Sequence, residues 1–409
     1  MKKFVFMLVG NLGYGVAQWL VIIFIARLGT VEQQGEFALV LGIAAPLSMF
    51  IRMNLRTVLA TDHNNEFTVN EYFSNRVFFS VAIFALIPII FLANPDYRNV
   101  AVLLLLVLAY KVFEGFSDLA NGFYQKIGRL NLLSAGMFIR SIMMLAAFFV
   151  GLSVFNSVAV GALGTALLWG VFFVYFDRNN VGKDNMAIDQ LLFRKAIVVA
   201  KKCWPLGVTM SLVSGISYMP IYFLGYYDSL ESVGYFAVIN YIFILGSYIG
   251  TTIAQTLSGR MAVLYSNALK KYLMIILGVS LLSFILGFFA WWLAVDWGDY
   301  FMQKLYGPQY SGLSSALGVM VMCVSVSIPL TLLGMSLTIM RSFYKMMLMN
   351  IIVFLFCGCI SYIYISSGSV YEAALVVLYT LLFKLLISLF INASVLIASR
   401  RRKLSVSYE

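Results

Sequence analysis

The sequence predicts an all-α, polytopic membrane protein with 12 transmembrane helices, arranged as two parallel six-helix halves around a central cavity. Three observations predict this fold. Of the 409 residues, 62% are hydrophobic and only 11% are charged, whereas soluble domains average about half apolar and a quarter charged. Apolar segments of membrane-spanning length recur along the whole chain. Short motifs also repeat at equivalent positions in the two halves.

The spanning segments follow from length, because a transmembrane helix needs about 20 mainly apolar residues. The first apolar run continues to about residue 25, which is too long for a cleaved signal peptide. Between residues 131 and 176 the chain must turn near Gly151 to Ser157, and Pro329 is expected to kink its long helix. The predicted spans are 4–26, 36–53, 75–93, 99–124, 131–152, 155–176, 204–226, 232–258, 270–294, 311–340, 344–366 and 370–398.

The distribution of basic residues predicts the orientation in the membrane. With the N-terminus inside, 22 of the 28 Lys and Arg residues fall in cytoplasmic segments, Arg52, Arg56 and Arg76 among them, whereas three fall outside and three within spans. Such a bias predicts that both termini are cytoplasmic. The net charge of +11 is therefore explained by topology, and nucleic acid is not an expected partner.

The longest loop divides the chain into two lobes. Residues 1–176 form the predicted N-terminal six-helix lobe and residues 204–398 the C-terminal six-helix lobe. The linker, 177–203, alternates apolar and basic residues at helical spacing and is expected to contain an amphipathic helix at the inner membrane surface. Residues 399–409 are a basic cytoplasmic tail.

An internal repeat supports the two-lobe arrangement. The segment TVEQQGEFALV (30–40) matches SLESVGYFAVI (229–239), and each joins the first and second spans of its half. NPDY (94–97) similarly matches GPQY (307–310), just before the fourth span of each half. Parallel repeats of this kind are found in transporters built around a central cavity.

Polar residues inside the spans are the main functional indication. They cannot face lipid tails, where a charge costs several kcal/mol, so they predict a polar interior. Arg140 and Lys384 lie deep in their spans and are interpreted as facing a cavity. Lys111 and Glu114 could instead form only a structural ion pair, and Arg56 could extend to the headgroups. The fourth span carries Lys111, Glu114, Asp118, Asn121 and Gln125 within an arc of roughly 80°. The eighth span carries Asn240, Ser247, Thr251, Gln255 and Ser258.

Catalytic and metal chemistry is not indicated. His63 is the only histidine, which argues against a histidine metal centre or a Ser-His-Asp triad. Cys357 and Cys359 point to different sides of a helix and cannot form a zinc site together. No cofactor is expected, and the protein is not expected to be an enzyme.

Several segments resemble the Wzx-type bacterial polysaccharide flippases, which belong to the MATE-like exporter superfamily. The similar segments are LRTVLATD (55–62), FEGFSDLANGFYQKIGRLNLLSAGMFIR (113–140), WPLG (204–207) and ESVGYFA (231–237). The resemblance implies a two-lobed, MATE-like fold in the bacterial cytoplasmic membrane. It also implies alternating access and a cargo of undecaprenyl-diphosphate-linked oligosaccharide for O-antigen or capsule. Ile221 departs from the pattern, because a basic residue is expected after Pro220.

The resemblance and the buried charges together give a set of candidate site residues. Arg56, Glu114, Gln125 and Arg140 match the family pattern. The residues expected to bind the diphosphate or the sugars are Arg56, Lys111, Arg140, Lys384, Gln125, Asn240 and Gln255. Glu114 and Asp118 are expected to couple transport to an ion.

The resemblance also suggests partners. These are the lipid-linked oligosaccharide, membrane lipids, and a polysaccharide polymerase with glycosyltransferases, and the protein itself is expected to be a monomer. Two alternatives remain open at this point. One is a cation-coupled multidrug exporter of the same fold, and the other is a membrane polysaccharide polymerase or glycosyltransferase.

Overall fold

The computed structural model describes residues 2–62, 65–93, 100–187, 192–340 and 342–406, and these are almost entirely helical, with no strand. A π-helical turn (Phe173–Asp177) joins α7 to α8. The helices are α1 (Lys2–Leu28), α2 (Val31–Arg52), α3 (Leu55–Thr61), α4 (Val69–Ala93), α5 (Ala101–Lys126), α6 (Leu130–Phe155), α7 (Val158–Phe172), α8 (Arg178–Val181), α9 (Leu192–Tyr227), α10 (Leu230–Asn267), α11 (Leu269–Tyr306), α12 (Ser314–Ile339), α13 (Phe343–Tyr364) and α14 (Val370–Val406).

The long helices correspond one to one with the predicted spans. Within the described residues, nine helical segments are long and apolar enough to cross a membrane. The prediction of an all-α, multi-pass membrane protein is confirmed.

The chain divides into two compact units, Met1–Tyr218 and Met219–Glu409, here called the N-terminal and C-terminal units. This boundary lies beyond the predicted linker, because α9 runs without a break from the linker into the seventh span. The first part of α9 is attached to the N-terminal unit. The Asn75 side chain donates to the Ala196 carbonyl at 2.9 Å, and a Cβ on Gly207 would lie 2.6 Å from the Phe50 carbonyl oxygen. The segment 192–203 is therefore part of α9, and residues 188–191 lie outside the described residues.

The repeated motif forms the same structure in both units. Thr30 accepts a hydrogen bond from the Gln33 amide at the start of α2, and Ser229 accepts one from the Ser232 amide at the start of α10. Both N-cap residues have extended backbone angles. A hydroxyl in this position satisfies one of the amides that a helix start leaves unpaired. The second motif cannot be compared, because residues 94–97 lie outside the described residues.

The predicted turn between the fifth and sixth spans is confirmed. Helix α6 ends at Phe155, Asn156 adopts a left-handed conformation with φ of 50°, and the Ser157 hydroxyl caps α7. The two helices then approach closely, since a Cβ on Gly151 would overlap the Gly161 backbone nitrogen.

Helix α12 continues through Pro329, where a kink was expected. Proline lacks an amide, so the Ser325 carbonyl loses its intrahelical donor. The Ser283 hydroxyl of α11 lies 3.2 Å from that carbonyl oxygen and supplies a replacement. A neighbouring helix thus satisfies the exposed backbone group, as membrane helices require.

Candidate functional site

The N-terminal unit contains a break within one candidate membrane-spanning segment, Val31–Ala60. Helix α2 ends at Arg52, and α3 begins at Leu55. Between them, Met53 and Asn54 both adopt left-handed backbone conformations, with φ of 47° and 50°. Such conformations are uncommon and strained for residues other than glycine. The break leaves the last carbonyls of α2 without intrahelical donors.

Arg76 of α4 supplies donors to this broken end. Its side chain is only 1% exposed. One terminal nitrogen donates to the Ile51 carbonyl at 3.4 Å and the other to the Arg52 carbonyl at 3.2 Å. A cation at a helix C-terminus also interacts favourably with the helix dipole. Arg76 was predicted only as one of the cytoplasmic cations, and its side chain is held in the interior of the unit by the carbonyls of α2.

The break also brings two arginines against α5. Arg52 lies 2.8 Å from Glu114, and Lys111 lies 2.9 Å from the same carboxylate. Arg56 lies 3.5 Å from Asp118. Glu114 is therefore shared between two cations on different helices, and the Lys111–Glu114 pair is more than a local neutralisation.

Close packing and a hydrogen bond fix α3 in this position. A Cβ on Gly122 of α5 would lie 2.8 Å from the Arg56 carbonyl oxygen, so the backbone of α3 rests directly on α5. At the same contact the Arg56 Nε donates to the Gln125 side-chain oxygen at 3.3 Å. Arg56 is thereby held on α5 rather than extended into solvent.

These side chains form a site with unbalanced charge, which we call the cationic cluster. Its four cations outnumber its carboxylates, Glu114 and Asp118, by two. The ion-pairing side chains are between 11% and 22% exposed. Excess positive charge on side chains this little exposed to solvent is costly unless an anion compensates it. The cations of the cluster are Arg52, Arg56, Arg76 and Lys111.

Arg140 occupies a separate position in the same unit. It is 3% exposed, and its guanidinium carbon lies 5.9 Å from the ring centres of both Trp169 and Phe172. Its Nε donates to the Gly136 carbonyl at 3.2 Å. Among the described side chains, no hydrogen bond or ion pair joins it to Glu114 or Asp118.

The remaining candidates belong to the C-terminal unit. Asn240 is 2% exposed, and its side-chain oxygen accepts no hydrogen bond from the described residues. Lys384 lies on α14, half-buried, and makes no ion pair with any described carboxylate. The side chain of Gln255 lies outside the described residues.

The structure thus brings together five of the predicted residues on α3 and α5, and it adds two that the predicted site omitted. The omitted residues are Arg52 and Arg76. Arg52 could have been found from spacing, because Arg52 and Arg56 are four residues apart, as are Glu114 and Asp118. Two such pairs can face each other across neighbouring helices. The five residues brought together are Arg56, Lys111, Glu114, Asp118 and Gln125.

Among the described residues, no group of three His, Cys, Asp or Glu side chains could hold a metal ion. The four cysteines are all unbridged.

This chain is similar in sequence or in fold to several known proteins. No family model matches the chain. A capsular polysaccharide biosynthesis protein of Staphylococcus aureus, CapF, is 26% identical over 323 residues, covering 76% of this chain and 78% of CapF. The lipid II flippase MurJ, in an inward closed conformation, matches with a TM-score of 0.75 at 13% identity, covering 94% of this chain and 87% of MurJ. A multidrug resistance MATE family transporter of the MOP superfamily, in an outward-facing conformation, matches with a TM-score of 0.63 at 14% identity, covering 98% of this chain and 96% of the transporter.

The chain has a MATE-like transporter fold. The structural matches lie far below the identity at which function transfers, so they establish the fold alone. Together with CapF they confirm the predicted resemblance to the MATE-like polysaccharide flippases.

Proposed function

We propose that this protein is a flippase that moves an undecaprenyl-diphosphate-linked oligosaccharide repeat unit across the bacterial cytoplasmic membrane, for O-antigen or capsule biosynthesis. The observation that carries the proposal is the cationic cluster, in which one buried and three partly buried cations are accompanied by only two carboxylates. A diphosphate carries the negative charge that such a site lacks.

The chemistry of the cluster suits a diphosphate. Guanidinium groups form paired, charge-assisted hydrogen bonds with phosphate oxygens, and Arg52 and Arg56 each have nitrogens beyond those that contact the carboxylates. Coulomb attraction is stronger away from bulk water, so the cluster would offset part of the cost of moving the diphosphate out of the headgroup region. The carboxylates would hold the cations in place while the site is empty.

This arrangement also suggests how an ion could be coupled to transport. Glu114 and Asp118 compete with an arriving diphosphate for the same cations, since Glu114 binds both Arg52 and Lys111. A proton or metal cation reaching either carboxylate would release the cations for the cargo. Binding of the ion and binding of the cargo would then favour each other, which is the reciprocity that coupling requires.

The broken helix is the proposed moving element. Breaks in transmembrane helices lie at binding sites in transporters, and the residues between α2 and α3 hold Arg52 and Arg56 on either side of one break. A change in the backbone at Met53 and Asn54 would move the two arginines relative to each other. In alternating access, such a change would accompany transfer of the cargo.

The other predicted residues have proposed roles later in the cycle. Arg140 and Lys384 would receive the diphosphate, and Asn240 and Gln255 would hydrogen-bond the sugars. The protein would act as a monomer. A polysaccharide polymerase and glycosyltransferases would supply or consume the cargo.

A multidrug exporter of the same fold is the alternative. Its cargo would have to be compatible with an excess of buried positive charge. Cationic drugs would be repelled by the cluster, whereas the proposed anionic cargo would be attracted.

The test is flipping of a fluorescent polyprenyl-diphosphate-linked oligosaccharide by the purified protein in proteoliposomes. We expect Arg52→Gln combined with Lys111→Gln to lower the initial rate by about tenfold or more, the effect of losing at least one charged contact to the cargo. Lys202→Gln is the matched control, because Lys202 is an exposed cation paired with Glu66, and it should flip at the wild-type rate.

Wild-type flipping by the double variant at wild-type stability would contradict the role of the cationic cluster. Efflux of cationic drugs in the same liposomes, with no flipping of the oligosaccharide, would contradict the flippase function itself. Ion coupling is tested separately. A flipping rate that changes with neither a proton gradient nor a sodium gradient would exclude it.

A further inference from the structure

The C-terminal unit contains a groove that the proposed cargo site does not use. Its volume is about 570 Å³, and it lies between α11, α12 and α14. Leu277 on its rim is 60% exposed, whereas Tyr272, Ser336 and Asn392 on its floor are at most 4% exposed. Most of the lining is aliphatic, and Lys270 stands at one end.

The groove opens onto an exposed, apolar surface of α11. The side chains of α11 outside the groove are large, apolar and exposed, with Leu282 at 55% and Ile285 at 67%. Surfaces of this kind in a membrane protein face acyl chains. An apolar chain can therefore enter the groove from the bilayer without crossing water.

The end of the groove at Lys270 is strongly basic. Lys270 and Lys271 are both exposed, and neither forms an ion pair with a described carboxylate. No acidic residue occurs between Glu231 and Asp296. The predicted topology places two further described cations, Arg260 and Lys345, on the same side of the membrane.

The floor of the groove contains an unsatisfied acceptor on Asn392. The Asn392 amide donates to the Leu333 and Ser388 carbonyl oxygens, but its own side-chain oxygen is buried and accepts no hydrogen bond from the described residues. A buried acceptor of this kind is normally satisfied. It would accept a hydrogen bond from a hydroxyl group of an occupant.

We propose that this groove binds an anionic phospholipid, with one acyl chain against the leucines and its phosphate at Lys270 and Lys271. Basic pockets between transmembrane helices on the cytoplasmic side recognise anionic headgroups. The apolar lining accounts for the chain, and the unpaired lysines account for the phosphate. The inference does not depend on the proposed function, because neither lysine belongs to the cationic cluster.

The experiment measures lipid binding to the full-length protein by native mass spectrometry in a neutral detergent. Phosphatidylglycerol is compared with phosphatidylcholine of the same acyl chains. We expect the wild type to bind phosphatidylglycerol at least fivefold more tightly. Lys270→Gln combined with Lys271→Gln should weaken phosphatidylglycerol binding by about tenfold, because each lysine near the headgroups contributes about a factor of five and part of it is screened.

A second pair of variants tests the groove itself. Leu277→Trp fills it and should also weaken binding, whereas Leu282→Trp makes the same change on the lipid-facing side of α11 and should not. Lys345→Gln is the control for charge, since Lys345 lies on the same predicted side of the membrane but does not line the groove.

Equal binding of phosphatidylcholine, or loss of binding in Lys345→Gln as large as in the double lysine variant, would overturn the assignment. Displacement of phosphatidylglycerol by equimolar polyprenyl phosphate would also overturn it, because the groove would then prefer the polyprenyl chain. None of these outcomes bears on the flipping assay with the Arg52 and Lys111 variants, so failure of this inference and failure of the proposed function can be told apart.

Discussion

The two units begin alike and then differ in the charge they bury. Thr30 and Ser229 cap equivalent helices, but α2 breaks after 22 residues whereas α10 continues for 38. At the same offset of 199 residues, Arg52 and Arg56 correspond to Thr251 and Gln255 in the C-terminal unit. The arginines that flank the break therefore have neutral counterparts in the helix that does not break.

The same contrast holds for the fourth helix of each unit. At the offset of the second repeated motif, Glu114 and Asp118 correspond to Ser327 and Thr331 on α12. Among the described residues of the C-terminal unit, all buried polar side chains are neutral. The helix caps therefore recur in both units, whereas the buried charged side chains among the described residues belong to the N-terminal unit. The strained break and the buried charges thus occur together, as expected of a functional site that is costly to maintain.

The largest expected effect comes from removing the shared carboxylate. Glu114→Gln leaves Arg52 and Lys111 without their anion, and losing one partner of a buried pair costs roughly 3 kcal/mol. We expect a clearly lower midpoint of thermal unfolding in detergent. Adding Lys111→Gln should restore part of the loss, because one of the two uncompensated charges is then removed.

The matched change in the C-terminal unit is Ser327→Ala at the corresponding position. Its hydroxyl donates only within its own helix, to the Val324 carbonyl, and its loss should change the midpoint little. Equal effects of Glu114→Gln and Ser327→Ala would mean that the charged interior adds nothing to the stability of the N-terminal unit.

Arg76→Gln should have the next largest effect. It removes both donors to the broken end of α2, and a buried carbonyl left unsatisfied costs about 1–3 kcal/mol. We expect a lower unfolding midpoint and faster hydrogen exchange at residues 48–58. Arg129→Gln, an exposed cation in the same unit, is the control. Unchanged exchange near the break would show that the cap is not needed to hold α2.

The fold could be predicted from sequence because its determinants are local. Span length, the Thr30 and Ser229 caps and the turn near Gly151 all depend on residues close together in the chain. The break at Met53 and Asn54 could not be predicted, since neither residue is glycine, the residue that adopts the left-handed conformation most readily. The contacts of Arg76 could not be predicted either, because the carbonyls that its side chain binds belong to a different helix.

Part of the site could be predicted from the sequence, because helical periodicity groups residues of one helix. Glu114, Asp118 and Gln125 share one face of a single helix, so helical periodicity was enough to group them. Arg140 and Lys384 were selected by depth alone. Depth in a span does not identify a partner, and the structure places the Arg140 guanidinium 5.9 Å from the ring centres of Trp169 and Phe172.

Lys384→Gln should affect stability and transport in opposite ways. Lys384 has no described carboxylate partner, so removing its charge should leave the unfolding midpoint unchanged or raise it, since an unpaired charge in a span is unfavourable. If Lys384 receives the diphosphate, flipping in proteoliposomes should fall by about tenfold. A variant that flips at the wild-type rate would restrict the charged chemistry to the N-terminal unit and sharpen the contrast between the units.

The smallest expected effect lies at Asp62, outside the spans and just after α3. Burial alone would raise the pKa of Asp62, but hydrogen bonds from the backbone amides of Glu66 and Phe67 outweigh it and hold the pKa below its ordinary value. The charged form is thus favoured in the folded protein. This stabilisation is present above about pH 4 and is lost as the pH falls through the lowered pKa.

Asp62→Asn should therefore lower the unfolding midpoint slightly at about pH 7, and its difference from the wild type should shrink as the pH falls below about 4. Asp184→Asn, an exposed carboxylate in the same unit, controls for the general effect of removing a charge. A difference that grows as the pH falls would mean that the protonated form of Asp62 is the stabilising one. The loop after α3 would then be held by contacts other than the two amides, and the position of the broken helix would rest on Arg76, Gly122 and the ion pairs alone.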